Sequence, residues 1–333
     1  MGHTLDRFTA AADLLRPRTL LRSLSRVDSL VDATRELTTA VQALRIQTDQ
    51  LMTIQRVDWE KRLEIDRLDS ILDADAIRRH VAGAIDATPL EREPFPHMLV
   101  NGWLPDSAYR RVIDAMPPAV FFADNRDEHW SVPSGVAPAY SRLVWAFVAN
   151  RIVGEILYDA LNRTFARVVR EYVGSFCPAL GDDIDLKLHP SDGRIMLRRP
   201  GYNLLPHRDP RWGFMTGIAY LAREGDSEAH GTQLYRVRED EEAPSSRVYY
   251  VEQPRCELVR DIPFRANSLL VFLNSAGAHG ASIPKDASPD LERYIYQFRL
   301  GPTGKVINRL LQLMPPDKAA AWANAKTDRA ARY

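Results

Sequence analysis

Two short segments of the chain contain residue types that could bind a metal ion. His207 and Asp209 are separated by one residue, so in an extended backbone their side chains project to the same side. His279 follows a strongly apolar run and lies between Gly277 and Gly280, which allow close approach of the backbone. Two imidazoles and one carboxylate form a donor set that suits iron(II) and leaves coordination positions open. We therefore expect His207, Asp209 and His279 to bind one catalytic metal ion.

These residues lie in a part of the chain whose sequence pattern predicts β-structure. From Gly193 onward, short apolar segments alternate with turn residues, which predicts a jelly-roll, or double-stranded β-helix. The predicted strands cover residues 194–199, 214–221, 233–237, 248–252, 268–272 and 293–300. Apolar residues at helical spacing between residues 137 and 176 predict two or three helices that support the sheet. The expected fold class is α+β.

The N-terminal region has a different pattern. Leucines recur every seven residues at Leu30, Leu37, Leu44 and Leu51, with valines at the complementary positions 27 and 41. This pattern predicts a helical, coiled-coil-like extension, in which Thr34 and Thr48 interrupt the apolar seam. Two interpretations stay open: self-association into a homo-oligomer, and packing of the helix on its own chain. We expect residues 1–75 to form this region and residues 76–333 to form the jelly-roll domain.

Composition excludes several classes of function. The 44 basic residues balance the 44 acidic ones, so the chain has no net charge that would recruit nucleic acid. The two cysteines, Cys177 and Cys256, lack the spacing of a zinc site. No apolar stretch is long enough for a membrane span or a signal peptide, and we expect a cytoplasmic protein.

The segments around the candidate ligands resemble, in order, the prolyl 4-hydroxylase-like branch of the 2-oxoglutarate and iron(II)-dependent oxygenases. The resemblance covers roughly residues 94–301. Its motifs are 95–105, a strand and turn; 199–202, a turn before His207 and Asp209; 216–221, a strand with a tyrosine before leucine; and 293–298, a closing strand.

The resemblance implies a set of ligands and residue roles. Iron(II), 2-oxoglutarate and O2 are the implied cofactor and co-substrates, with ascorbate as an optional auxiliary reductant. Arg293 is the residue expected to bind the far carboxylate of 2-oxoglutarate, since its planar guanidinium can hold a carboxylate bidentately. Tyr220 and Thr216 are expected to assist it. Arg293 lies further beyond His279 than is usual in the family, and Arg299 is the fallback. Arg199 stands where relatives commonly have a tyrosine and could contact 2-oxoglutarate or face solvent.

The implied reaction is hydroxylation of an organic substrate with release of succinate and CO2. A small molecule is the first expectation, and a peptidyl substrate of the prolyl type is the alternative. A non-catalytic jelly-roll protein that assembles through its N-terminal helix is the rival from another class. A metalloenzyme that works without 2-oxoglutarate would typically need an HxH cluster, which the sequence lacks. Trp212 and Phe214 could line a substrate pocket or simply pack at the rim of the sheet.

Overall fold

The computed structural model describes residues 17–68, 72–122, 129–132, 135–210, 212–238, 249–274, 277–320 and 322–323. The chain divides into two compact units, one that ends at Arg56 and one that begins at Val57. The boundary at residue 75 expected from the sequence stays a prediction. Within the described residues, no helix is both long and apolar enough to cross a membrane.

The described part of the first unit is helical. Helix α1 spans Pro17–Ile65 and contains the predicted seven-residue pattern. We call its eight pattern positions the heptad seam: Val27, Leu30, Thr34, Leu37, Val41, Leu44, Thr48 and Leu51. The four leucines of the seam are between 62% and 67% exposed. The helix therefore presents a row of apolar side chains to solvent.

Helices also flank the sheets of the second unit. They are α2 (Ala74–Asp86), α3 (Asp106–Asp114), α4 (Ala139–Phe147), α5 (Tyr158–Phe176) and α6 (Gly304–Leu313). The Asp73 carboxylate caps α2 by accepting hydrogen bonds from the N–H groups of Asp75 and Ala76. A π-helical segment, Val148–Leu157, joins α4 to α5, so the helices predicted between residues 137 and 176 are confirmed.

Eleven strands form two antiparallel sheets within the described residues. They are β1 (His97–Asn101), β2 (His129–Ser131), β3 (His189–Arg198), β4 (Asn203–Arg208), β5 (Met215–Tyr220), β6 (Thr232–Val237), β7 (Tyr249–Tyr250), β8 (Cys256–Ile262), β9 (Ser268–Leu273), β10 (Ala278–Ser282) and β11 (Arg293–Gly301). The six-stranded sheet has the order β1-β9-β5-β11-β3-β2, and the five-stranded sheet has the order β7-β4-β10-β6-β8. The predicted α+β fold with a double-stranded β-helix is confirmed.

Side-chain alternation along β11 shows how the two cores are built. Tyr294, Tyr296 and Phe298 pack into the core that the six-stranded sheet shares with the helices. Ile295 packs instead into a core made by residues of both sheets, among them Tyr220 of β5 and Leu234 of β6. Successive side chains of a strand point to opposite faces, so the odd-numbered residues of β11 face the space between the sheets.

Candidate metal centre

The three candidate ligands come together on the inner side of the five-stranded sheet. His207 lies on β4 and Asp209 follows that strand directly, while His279 lies on the neighbouring strand β10. The antiparallel register places His279 opposite His207. Since facing residues on adjacent strands are close, the pairing of β4 with β10 brings both imidazoles beside one carboxylate. One donor atom from each of the three residues lies within 4.8 Å of the others.

The geometry of this cluster is compatible with one shared ion. The Nε2 atom of His207 is 3.9 Å from Oδ1 of Asp209, and Nε2 of His279 is 3.8 Å from Oδ2 of Asp209. The two imidazole centroids are 4.2 Å apart, and the His279 ring lies 4.6 Å from the ring of Phe272. All three ligand residues are at most 5% exposed. A small ion could therefore reach all three donors in a site largely closed to bulk water.

The protonation states suit metal binding. Burial lowers the pKa of His207, and burial together with the neighbouring His207 lowers the pKa of His279 to about 3, so both rings are neutral at neutral pH. The Nδ1–H of His207 donates a hydrogen bond to the carbonyl of Leu205 at 3.0 Å. The lone pair of Nε2 is therefore available to bind a metal ion. Burial acts to raise the pKa of Asp209, but the charge of Arg299 and the hydrogen bond from Thr216 hold it below its ordinary value. The carboxylate is ionised.

Two side chains from the six-stranded sheet orient Asp209. The Thr216 hydroxyl donates to Oδ2 at 2.6 Å, and the Arg299 guanidinium donates to Oδ1 at 3.0 Å. A Cβ atom at Gly213 would lie 2.9 Å from Cδ of Arg299, so glycine at that position leaves room for the arginine. These contacts place Thr216 and Arg299 beside the candidate ion. The sequence resemblance connected both residues with 2-oxoglutarate binding. Their hydrogen bonds to Asp209 could not be predicted from the sequence.

The guanidinium of Arg293, the arginine expected to bind 2-oxoglutarate, is hydrogen-bonded to other groups of the protein. Arg293 is 1% exposed and donates four hydrogen bonds, to the carbonyls of Ala229, Glu292 and Ser227 and to the Ser227 hydroxyl. Its guanidinium also lies 3.7 Å from a carboxylate oxygen of Asp226. The role of Arg293 in 2-oxoglutarate binding stays a prediction.

Tyr220 and Arg199 occupy contrasting places. Tyr220 is fully buried between the sheets, and burial raises the pKa of its phenol, which stays protonated. Among the described residues, the Thr232 hydroxyl is the neighbour of its hydroxyl group. Arg199 has a side chain that is 40% exposed and donates to the Glu292 carboxylate at 3.3 Å. Tyr220 is thus available to a ligand in the interior, whereas Arg199 lies at the protein surface.

Trp212 and Phe214 belong to the core on the helix side of the six-stranded sheet. The ring of Trp212 lies 4.8 Å from that of Trp322, and its indole N–H donates to the carbonyl of Trp322. The ring of Phe214 contacts Phe176 of α5. These contacts support the packing interpretation of Trp212 and Phe214.

Similarity to known proteins was found among solved structures. No family model and no curated protein matches the chain. A Pseudomonas putida prolyl-4-hydroxylase is 16% identical and matches with a TM-score of 0.35 over 67% of this chain and 95% of that chain. AviO1 from Streptomyces viridochromogenes Tue57 is 14% identical, with a TM-score of 0.39 over 67% of this chain and 96% of that one.

HygX from Streptomyces hygroscopicus, solved with nickel, 2-oxoglutarate and hygromycin B bound, is also 14% identical. It matches with a TM-score of 0.37 over 62% of this chain and 83% of that chain. Because all three TM-scores lie below 0.5, we base the function on the residues of this chain. By its own architecture the chain is a double-stranded β-helix protein with a candidate facial triad of His207, Asp209 and His279.

Proposed function

We propose that this protein is a 2-oxoglutarate-dependent iron(II) dioxygenase that hydroxylates a small organic molecule. The observation that carries the proposal is the buried cluster of His207, Asp209 and His279 inside the double-stranded β-helix. Two neutral imidazoles and one ionised carboxylate fit iron(II), and three protein ligands leave coordination positions for a chelating keto acid and O2. When bound, these groups supply an oxidant that removes hydrogen from an unactivated C–H bond, with succinate and CO2 as co-products.

The residues of the chain have separate tasks in this proposal. His207, Asp209 and His279 hold the metal, and the hydrogen bonds from Thr216 and Arg299 fix the direction of the Asp209 oxygens. Fixed outer partners of this kind commonly tune affinity and geometry at metal sites. The surrounding apolar core limits access of water to the site.

A small molecule is the proposed substrate because the site is deep and closed. The ligand side chains are between 2% and 6% exposed, so a substrate must penetrate the space between the sheets to reach the metal. A compact free molecule can do this whole, whereas a polypeptide could insert only one side chain. A peptidyl hydroxylase is the alternative, and a screen of both substrate classes for succinate release separates them.

The decisive experiment is an anaerobic titration of the purified protein with iron(II) and 2-oxoglutarate, followed by the visible metal-to-ligand charge-transfer absorption. We expect absorption in the native protein and none in His207→Ala. His80→Ala is the matched control, since His80 is exposed and bonded to the Gly102 carbonyl outside the cluster. A folded native protein that binds iron(II) without developing this absorption contradicts the proposal and favours the non-catalytic or 2-oxoglutarate-independent alternatives.

We further propose that the N-terminal region, taken as residues 1–75, associates with a second copy of the chain, while residues 76–333 form the catalytic domain. The leucines of the heptad seam are exposed, and the charged residues around them lie at other heptad positions: Asp28, Asp32, Arg35, Glu36 and Asp49. A one-sided apolar stripe with a seven-residue period is typical of helices that pair. The seam covers about three and a half heptads, a length that sustains a coiled coil.

The order of residues along the seam favours two antiparallel copies. With a two-fold axis at the level of Thr39, Val27 faces Leu51 of the second copy, Thr34 faces Leu44, Leu37 faces Val41 and Leu30 faces Thr48. Every layer then contains a leucine. In a parallel pair each residue would face its own copy, so four layers would lack leucine: those of Val27, Thr34, Val41 and Thr48. The antiparallel pair therefore buries the same residues with better apolar contact in every layer.

A further inference from the structure

One buried arginine inside the second unit lacks the partners that such a group needs. Arg198, at the end of β3, is 4% exposed. Within the described residues its guanidinium makes no hydrogen bond or ion pair, and Nε is fully buried without a partner. The guanidinium carbon lies 5.0 Å from the centre of the Tyr202 ring, a cation–π distance. Burial of an unpaired guanidinium costs free energy, because the charge loses its hydration without gaining a partner. An anionic ligand bound beside Arg198 would offset this cost.

Arg198 faces the space between the sheets. On β3, Met196 packs into the core between the sheets, whereas Ile195 and Leu197 pack on the helix side. Arg198 has the same parity as Met196 and therefore points inward. The register of β3 with β11 places it opposite Arg293. Two arginines thus enter the interior from neighbouring strands, and only Arg293 is bonded to protein acceptors.

Two buried hydroxyl groups on other strands lie close to each other. They belong to Tyr220 on β5 and Thr232 on β6, and within the described residues neither bonds to any group outside this pair. Burial raises the pKa of Tyr220, and the charge of Arg198 acts against that rise. Strand register supports this proximity, because Met196, Ile295 and Tyr220 lie side by side across β3, β11 and β5 in the core between the sheets. Arg198 is the next inward residue of β3 after Met196, and it therefore lies close to Tyr220.

We propose that Arg198, Tyr220 and Thr232 form a carboxylate cradle that binds the far carboxylate of 2-oxoglutarate, and that Arg293 holds the 226–229 loop instead. This inference rests on the proposed function. A guanidinium and two hydroxyls can donate to both oxygens of a carboxylate, which gives Arg198, Tyr220 and Thr232 one common acceptor. In this proposal, Arg198 of β3 makes the site specific for a dicarboxylic keto acid. The sequence resemblance gave that role to Arg293 of β11.

The test compares two keto acids that differ only at the far end. Iron(II)-loaded protein is titrated anaerobically by calorimetry with 2-oxoglutarate and with 2-oxopentanoate, which has a methyl group in place of the far carboxylate. We expect Arg198→Met to raise the Kd of 2-oxoglutarate roughly 30-fold or more and to leave that of 2-oxopentanoate within about twofold. Arg198→Lys, which keeps the charge but loses the planar fork, should fall between the native protein and Arg198→Met.

Two matched variants make the result specific. Arg194→Met removes another inward arginine of β3, one already bonded to the Gln297 amide oxygen, and should leave both affinities unchanged. Arg293→Met should leave the ratio of the two affinities unchanged. The cradle is overturned if Arg293→Met selectively weakens 2-oxoglutarate while Arg198→Met does not, or if Arg198→Met weakens both keto acids alike.

Failure of the proposed function looks different. In that case the native protein binds iron(II) but neither keto acid, and the variants have nothing to alter. An error in the cradle alone leaves 2-oxoglutarate binding intact in the native protein and in Arg198→Met.

Discussion

The two units of this chain depart from the usual distribution of polar and apolar groups in opposite directions. In the second unit, Nε of Arg198 and the hydroxyls of Tyr220 and Thr232 are buried, and the part of the chain that the structure describes offers no acceptor for Arg198 and none outside the pair for the two hydroxyls. In the first, large apolar side chains of the heptad seam are exposed. Both arrangements are unfavourable for an isolated chain, since buried polar groups need hydrogen bonds and apolar surface favours burial. The comparison supports both proposals, since a small anion would partner the buried polar groups of the second unit and a second helix would cover the apolar seam of the first.

The largest contrast is expected when an aspartate is removed from each unit. Asp209→Ala leaves Arg299 buried without its carboxylate and should lower the free energy of unfolding by about 3–5 kcal/mol, with loss of iron(II) binding. Asp32→Ala removes an exposed ion pair with Arg35 and should change the free energy of unfolding by less than about 0.5 kcal/mol. Urea denaturation and iron(II) titration check both. Equal effects of the two substitutions would remove the contrast between the units.

Substitutions in the heptad seam test helix pairing and leave the sequence of the second unit unchanged. Leu37→Glu combined with Leu44→Glu places two carboxylates in apolar layers and should convert a dimer into a monomer, measured by light scattering after size-exclusion chromatography. Thr39→Glu is the matched control, because Thr39 lies on the opposite side of α1 from the seam. A native protein that is already monomeric at micromolar concentration rules out the paired helix.

Helix orientation sharpens the same prediction. The antiparallel arrangement predicts an intermolecular disulfide in the double variant Thr34→Cys/Leu44→Cys and none in Thr34→Cys alone. Non-reducing gel electrophoresis after mild oxidation measures this difference. A disulfide in Thr34→Cys alone would establish the parallel arrangement.

Stability separates Arg198 of β3 from Arg293 of β11. Arg198→Met removes a buried charge that has no protein partner, so the ligand-free protein should become more stable by about 1–3 kcal/mol. Arg293→Met removes four hydrogen bonds and should destabilise the protein by about 3 kcal/mol. Urea denaturation without ligand measures both. Loss of stability in Arg198→Met would show that this arginine supports the fold.

The smallest expected effect belongs to Thr232. Thr232→Val exchanges a hydroxyl for a methyl group at a buried site where the described residues offer the hydroxyl no partner outside its pair with Tyr220. The free energy of unfolding should change by less than about 1 kcal/mol, while the affinity for 2-oxoglutarate should fall about three- to tenfold. Thr216→Val is the contrasting substitution, since that hydroxyl donates to Asp209, and it should weaken iron(II) binding.

The sequence was sufficient for the features that depend on local pattern. The spacing of His207 and Asp209 in an extended segment, the apolar strand before His279 and the seven-residue leucine repeat all follow from side-chain periodicity, which short-range geometry sets. The supporting helices were recognisable for the same reason. Strands β4, β8 and β10 were not, because they mix polar, small and charged residues and owe their conformation to pairing with neighbouring strands.

Tertiary structure alone decided which groups meet in the interior. The pairing of β10 with β4 places His279 beside His207, and the position of β11 beside β5 brings Arg299 to Asp209. The parity of β3 directs Arg198 inward, while its sequence neighbour Arg199 reaches Glu292 at the surface. These outcomes depend on sheet order and on strand register, where a shift of one residue exchanges the inner and outer faces. That information lies in contacts between distant segments, and no local pattern contains it.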